Sequence, residues 1–154
     1  MQEFKVLSPT AILGYGFPEE SFKNGLAKKP DIIAVDGGST DPGPYYLGAG
    51  VSFTDREAVK RDLRLMLKAG KELGIPVLVG TAGGSGANAH LAWTEDIVRE
   101  IVKEENLELK VAVIPAEISK KEILKEHEKG NIKPLTPARK LTREEIENTS
   151  RIVG

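Results

Sequence analysis

The stretch Asp31-Ile32-Ile33-Ala34-Val35-Asp36-Gly37-Gly38-Ser39-Thr40-Asp41-Pro42-Gly43-Pro44-Tyr45-Tyr46-Leu47-Gly48 decides how the chain is read. Its first six residues hold a short run, continuously apolar between two aspartates and rich in β-branched types. Such a run is too short for a helix, and it does not alternate as a half-exposed strand would. It predicts a parallel strand buried on both faces. Residues 37–44 are all turn chemistry, so the strand delivers Asp36 to an edge where the backbone reverses.

The same pattern recurs on either side. Phe4 to Ile12, centred on Val6 and Leu7, predicts a strand before it; Ile75 to Gly80 and Leu109 to Pro115 predict two after it. Between the runs lie stretches with helical spacing. Thr54-Asp55-Arg56-Glu57 reads as a capping box, and Val59, Leu63, Met66, Leu67 and Leu73 then fall on one face before Gly74 and Pro76 end the element. Leu91, Ile97, Val98, Ile101 and Val102 form a similar stripe. Ser119 to Glu122 and Thr142 to Glu145 repeat the capping-box pattern, and a shorter helix is expected over roughly 19–28. Strand and helix in alternation predict an α/β fold, a single Rossmann-like or flavodoxin-like three-layer domain. Its sheet would be mainly parallel, with four or five strands.

Residues 1–128 are expected to hold that α/β domain, and 129–154 an extended connector and a C-terminal helix. The closing Arg151-Ile152-Val153-Gly154 reads as the start of a further βα unit or a segment that docks on a partner chain; the plainer reading is a frayed helix end.

Composition narrows the partners. With 22 basic and 23 acidic residues the formal net charge is −1, which gives no cationic face for nucleic acid. There is no cysteine, so disulfides, thiolate metal sites and a cysteine nucleophile drop out. The N-terminus lacks a signal-peptide core and no apolar run is long enough to span a bilayer, so a cytoplasmic protein without membrane contact is expected.

In a parallel α/β sheet, ligands bind at the carboxyl ends of the strands. The three loops expected there hold eleven of the sixteen glycines, among them Gly14, Gly16, Gly37, Gly38, Gly80, Gly83, Gly84 and Gly86. The third, Gly80-Thr81-Ala82-Gly83-Gly84-Ser85-Gly86-Ala87-Asn88-Ala89-His90, runs into a helix start. Free amides and the positive helix end suit a phosphate or carboxylate, through Thr81, Gly83, Gly84, Ser85, Gly86 and Asn88. No Gly-Lys-Ser/Thr comes after it, so it is not a P-loop, and no nicotinamide or flavin fingerprint is present. In the second loop, Asp36 and Asp41 offer paired carboxylates for acid/base work or for a divalent cation such as Mg²⁺. The plainer reading is that each caps backbone amides of its own loop. Ser39, Thr40 and Tyr45 stand beside them as orienting groups. The first loop adds Ser8 and Thr10 without a neighbouring base, so no hydrolase triad is read. His90 is the one imidazole near this edge and the candidate proton carrier.

Four stretches together resemble the family named after the acyclic terpene utilisation protein AtuA. They are Leu7-Ser8-Pro9-Thr10-Ala11-Ile12-Leu13-Gly14, residues 36–48, Lys60-Arg61-Asp62-Leu63, and Gly80 to Asn88. Members of that family are usually longer, and the resemblance covers their N-terminal part, with Arg151 to Gly154 falling where theirs continue. It implies a role in catabolism of branched or isoprenoid acyl compounds, as coenzyme A thioesters, and no assigned catalytic residues. The expectation is an enzyme, or the ligand-binding part of one, acting on a small anionic substrate by a lyase or hydratase reaction. The alternatives are a non-catalytic subunit of a homo- or hetero-oligomer, completed by a partner chain, and a phosphate- or nucleotide-binding regulatory module.

Overall fold

The computed structural model describes residues 3–39 and 42–154. Three strands form a parallel sheet in the order β1-β2-β3: β1 (Val6–Leu7), β2 (Ile32–Asp36) and β3 (Val77–Gly80). The helices are α1 (Glu19–Leu26), α2 (Tyr45–Ala49), α3 (Arg56–Leu73), α4 (Asn88–Glu104), α5 (Lys120–Glu128) and α6 (Arg143–Asn148), with a short 3-10 turn at Ala82–Gly84. The class is mixed α/β, as the alternation of runs predicts.

Register assigns the faces. Leu7 pairs with Ile33 and Ile33 with Val77, while Val35 pairs with Val79. These residues share one core with Phe22 and Leu26 of α1, with Val59, Leu63 and Met66 of α3, and with Ile97 and Ile101 of α4. All three helices therefore stand on one side of the sheet. The strand order explains α1 and α3: stepping β1 to β2 to β3 in one direction, right-handed crossovers bring both connections to the same face, and α4 packs beside α3 there.

The other face carries Val6, Ile32, Ala34 and Leu78, with Val6 at 58% and Leu78 at 54% exposure. Burial on both faces, and with it a three-layer arrangement, is thus not what the described residues form. Covering the second face requires the strand order to reverse, and it does not reverse here.

The sheet is also smaller than expected. Leu109 to Pro115 forms no strand, and no backbone group in it bonds to another among the described residues. Leu107 and Leu109 pack on the core, but Val111, Val113 and Ile114 are exposed. An apolar run announces burial without saying against what; here the side chains lean on α4 and no strand edge comes with them. The expected first strand shrinks to two residues for the same reason, since only Val6 and Leu7 find a partner.

Helix starts agree with the sequence more closely. Ser119 and Thr142 form complete capping boxes with Glu122 and Glu145. For α3 the cap shifts by one residue: Asp55, not Thr54, accepts the Ala58 amide, at 2.9 Å. Arg151 to Gly154 turns back on its own chain, where Val153 bridges Glu117 in antiparallel sense and Ile118 donates to the Ile152 carbonyl at 2.8 Å.

Candidate functional site

The three glycine-rich loops meet at the carboxyl edge of the sheet. Leu13 of loop one donates its amide to the Asp36 carbonyl (2.8 Å), and Gly37 of loop two donates to the Gly80 carbonyl (2.8 Å). Asp36 and Gly80 are themselves register partners. The closest approach is at Gly38, whose Cα lies so near the Thr81 methyl and the Gly84 carbonyl that a Cβ would collide with both. Loops two and three are pressed together there, and only glycine permits it.

Asp36 stands exposed at the centre of this edge, with Oδ1 accepting the Gly38 amide at 2.8 Å. The carboxylate thus caps its own loop and still faces solvent. Thr40 and Asp41 lie outside the described residues, so the proposed partner carboxylate has no described position. Among the described residues no three His, Asp or Glu side chains gather as metal ligands would.

Loop three is built as a tight turn. Gly83, Gly84 and Gly86 all have positive φ, and Thr81 joins them at φ 45°, where a β-branched residue is strained. Gly83 and Gly84 are buried, Ser85 and Gly86 half-buried, and Asn88 exposed. The N-cap of α4, Ala87, offers no side-chain acceptor. The Asn88 amide is met instead by Glu117 Oε2 at 2.9 Å, delivered by the segment that bridges to Val153. The anion position read from the sequence is thus held by the chain's own carboxylate.

His90 is not at the surface of this edge. It is 1% exposed, and its Nε2 lies 3.1 Å from both the Tyr46 and Val51 carbonyls. Two carbonyl partners require Nε2 to carry the proton. Nδ1 is buried without a partner among the described residues. The ring therefore pins α2 and the chain after it to α4. Beside it a cavity of about 320 Å³ opens among Val51, Ser52, Thr54, Arg56, His90 and Trp93, and Asp36 does not line it.

The remaining candidates are dispersed along the loops. Ser8 is exposed and its hydroxyl reaches the Thr10 carbonyl at 3.3 Å; Thr10 reaches the Ile12 carbonyl at 3.3 Å. Both hydroxyls serve local turns. Ser39 is half-buried beside Gly38. Tyr45 is 69% exposed and packs edge-on against Tyr46, whose ring in turn meets Phe53.

Asp62 is the residue whose role sequence reasoning missed. It is wholly buried on α3, and its Oδ2 accepts the amides of Gly14 (2.9 Å) and Gly16 (3.0 Å). Its Oδ1 takes both Nε and Nη2 of Arg61, at 3.1 and 2.6 Å. One carboxylate thus shapes loop one and holds a guanidinium over it. The signal was in the stripe: Asp62 falls three after Val59 and four before Met66, on the apolar face of the helix. No family model, no curated protein and no solved structure matches the chain.

Proposed function

We propose that the chain is an enzyme, or the ligand-binding part of one, that acts on a small carboxylate or acyl-CoA-type substrate at the carboxyl edge of its sheet. One observation carries the reading: three loops are bonded into a single edge around an exposed carboxylate, Asp36. Gly14, Gly16, Ser85 and Gly86 are only half-buried, and backbone of that kind is what a ligand at the edge would approach. Strain retained at Thr81 in the same edge fits a site whose geometry is imposed by need rather than by propensity. In this reading Asp36 takes or polarises a proton of the substrate, Tyr45 supplies a wall, and His90 acts through position by fixing α2. A lyase or hydratase reaction in branched or isoprenoid acyl catabolism suits an acid/base carboxylate without a hydride carrier. A complete doubly wound sheet, with its second face covered, would be the setting of that chemistry. The test is turnover of short branched acyl-CoA thioesters by the wild-type chain and by Asp36→Asn. Loss of turnover with unchanged circular dichroism is expected; full activity in the variant removes Asp36 from the mechanism.

A second reading, a subunit completed by a partner chain, is favoured by a different observation. The sheet leaves Val6 and Leu78 exposed, and Val111 to Ile114 has no backbone partner among the described residues. Parallel sheets are ordinarily covered on both faces. Light scattering on the purified chain separates the two, since a monomer with turnover excludes the second.

A further inference from the structure

The three loops contain no lysine or arginine: none occurs in 8–17, 37–50 or 81–90. An anionic ligand at this edge needs a cation from elsewhere, and the helix end offered by α4 is already met by Glu117. Three arginines come near the loops. Arg56 is spent on Glu100, with Nη1 and Nη2 bonded to its two oxygens at 3.0 and 2.6 Å. Arg151 gives Nη1 to the Leu47 and Gly48 carbonyls at the end of α2 and has no carboxylate to fix its fork in one pose among the described residues. Arg61 is different.

We propose that Arg61 is the anion-recognising cation of this edge, binding the carboxylate or phosphate group of the ligand across loop one. The inference rests on the proposed function of the same edge. The Arg61 side chain is 59% exposed, yet it is held in place by the buried Asp62 through Nε and Nη2. Asp62 has no capacity to spare, because its other oxygen serves Gly14 and Gly16. Nη1 is left without an acceptor among the described residues. Gly16, at φ 80°, completes the arrangement: a Cβ there would run into the Arg61 guanidinium. The glycine thus lets the planar fork lie across the loop. A guanidinium fixed in one pose has already lost much of its rotamer freedom, which suits it to oxyanions such as carboxylate and phosphate. The Leu13 amide on the Asp36 carbonyl ties loop one to the end of β2, so in this proposal cation and carboxylate serve the same ligand. Arg61 would hold the anionic part while Asp36 works on the reacting part.

The experiment is a titration of inorganic phosphate, and separately of propionate, into the full ¹⁵N-labelled chain, read from amide shifts. Saturable shifts at Gly14, Tyr15 and Gly16 are expected. Arg61→Gln should weaken binding by about tenfold or more, and Arg61→Lys by less, because charge survives without the fork. Arg99→Gln, an exposed arginine on the far part of α4, should bind as wild type. Should Arg61→Gln fail to fold with Asp62 unpaired, the double variant Arg61→Gln with Asp62→Asn restores neutrality and must also bind weakly. Response to one probe alone identifies the oxyanion class. Wild-type affinity in both glutamine variants, or shifts at Asn88 and Ala89 instead, overturns the assignment and leaves the site standing. No saturable binding of either probe overturns it too, and if acyl-CoA turnover is also absent the function proposed for the site falls with it.

Discussion

Asp62 and Thr81 show at the level of single residues how this edge is held. Asp62 is a buried carboxylate satisfied by two loop amides and one guanidinium. Removing it leaves those donors unpaired and loop one without its anchor. Asp62→Ala should cost about 2–4 kcal/mol in urea unfolding, far more than Asp55→Ala, which removes a single cap, at about 1 kcal/mol. Equal, small losses would show that Asp62 does not organise the loop. Thr81 works in the opposite sense. Its φ of 45° costs stability, so Thr81→Gly should stabilise the chain by about 1 kcal/mol, while widening the ligand edge and reducing turnover. A destabilised Thr81→Gly variant would mean that its side-chain packing on Gly38 outweighs the strain. Asp36 was legible in the sequence as a carboxylate ending a strand. Asp62 was legible only as a carboxylate on the apolar stripe of α3; nothing in a helical sequence says that its acceptor atoms reach a loop 46 residues away.

Between elements, α3 and α4 are fastened by alternating charges. Arg56 and Lys60 share Glu100, Lys60 and Arg64 share Glu104, and Lys68 pairs with Glu105. Hydrogen bonds from Arg56, then Lys60, hold the Glu100 carboxyl down from the ordinary 4.5 to about 2. A carboxylate whose pKa is depressed on folding adds stability that is present above its unfolded value and lost as pH falls through its folded one. Thermal stability should therefore fall between pH 4.5 and 2, and Glu100→Gln should flatten part of that fall. Parallel pH profiles for the variant and wild type would contradict the assignment. Salt should weaken the same contacts, since most of these side chains are partly exposed. Helices of this kind are easy to read, because stripe and caps are local. The capping boxes at Ser119 and Thr142 were legible from four residues each. The run at Leu109 to Pro115 misled because a strand exists only with its neighbour, and no local pattern encodes the neighbour.

For the molecule as a whole, one-directional strand order is the governing fact. It gathers α1 and α3 on a single face, where α4 joins them, and leaves Val6, Ile32, Ala34 and Leu78 without a covering layer among the described residues. That exposed strip should drive self-association at high protein concentration. Val6→Lys with Leu78→Lys should abolish it while leaving unfolding within about 1 kcal/mol of wild type. Association that persists in this variant, measured by light scattering, would place the contact elsewhere. The alternating runs made the α/β class legible; which face stays open depended on strand order, which sequence periodicity does not carry. Because all three strands run parallel, the three glycine-rich loops fall at one end, and the proposed function depends on that convergence. Hydrogen exchange with and without a short-chain acyl-CoA tests it most directly. Slowed exchange is expected, confined to segments 10–17, 36–50 and 80–90, with α5 and α6 unchanged. Slowing elsewhere, or in only one of the three loops, would contradict it.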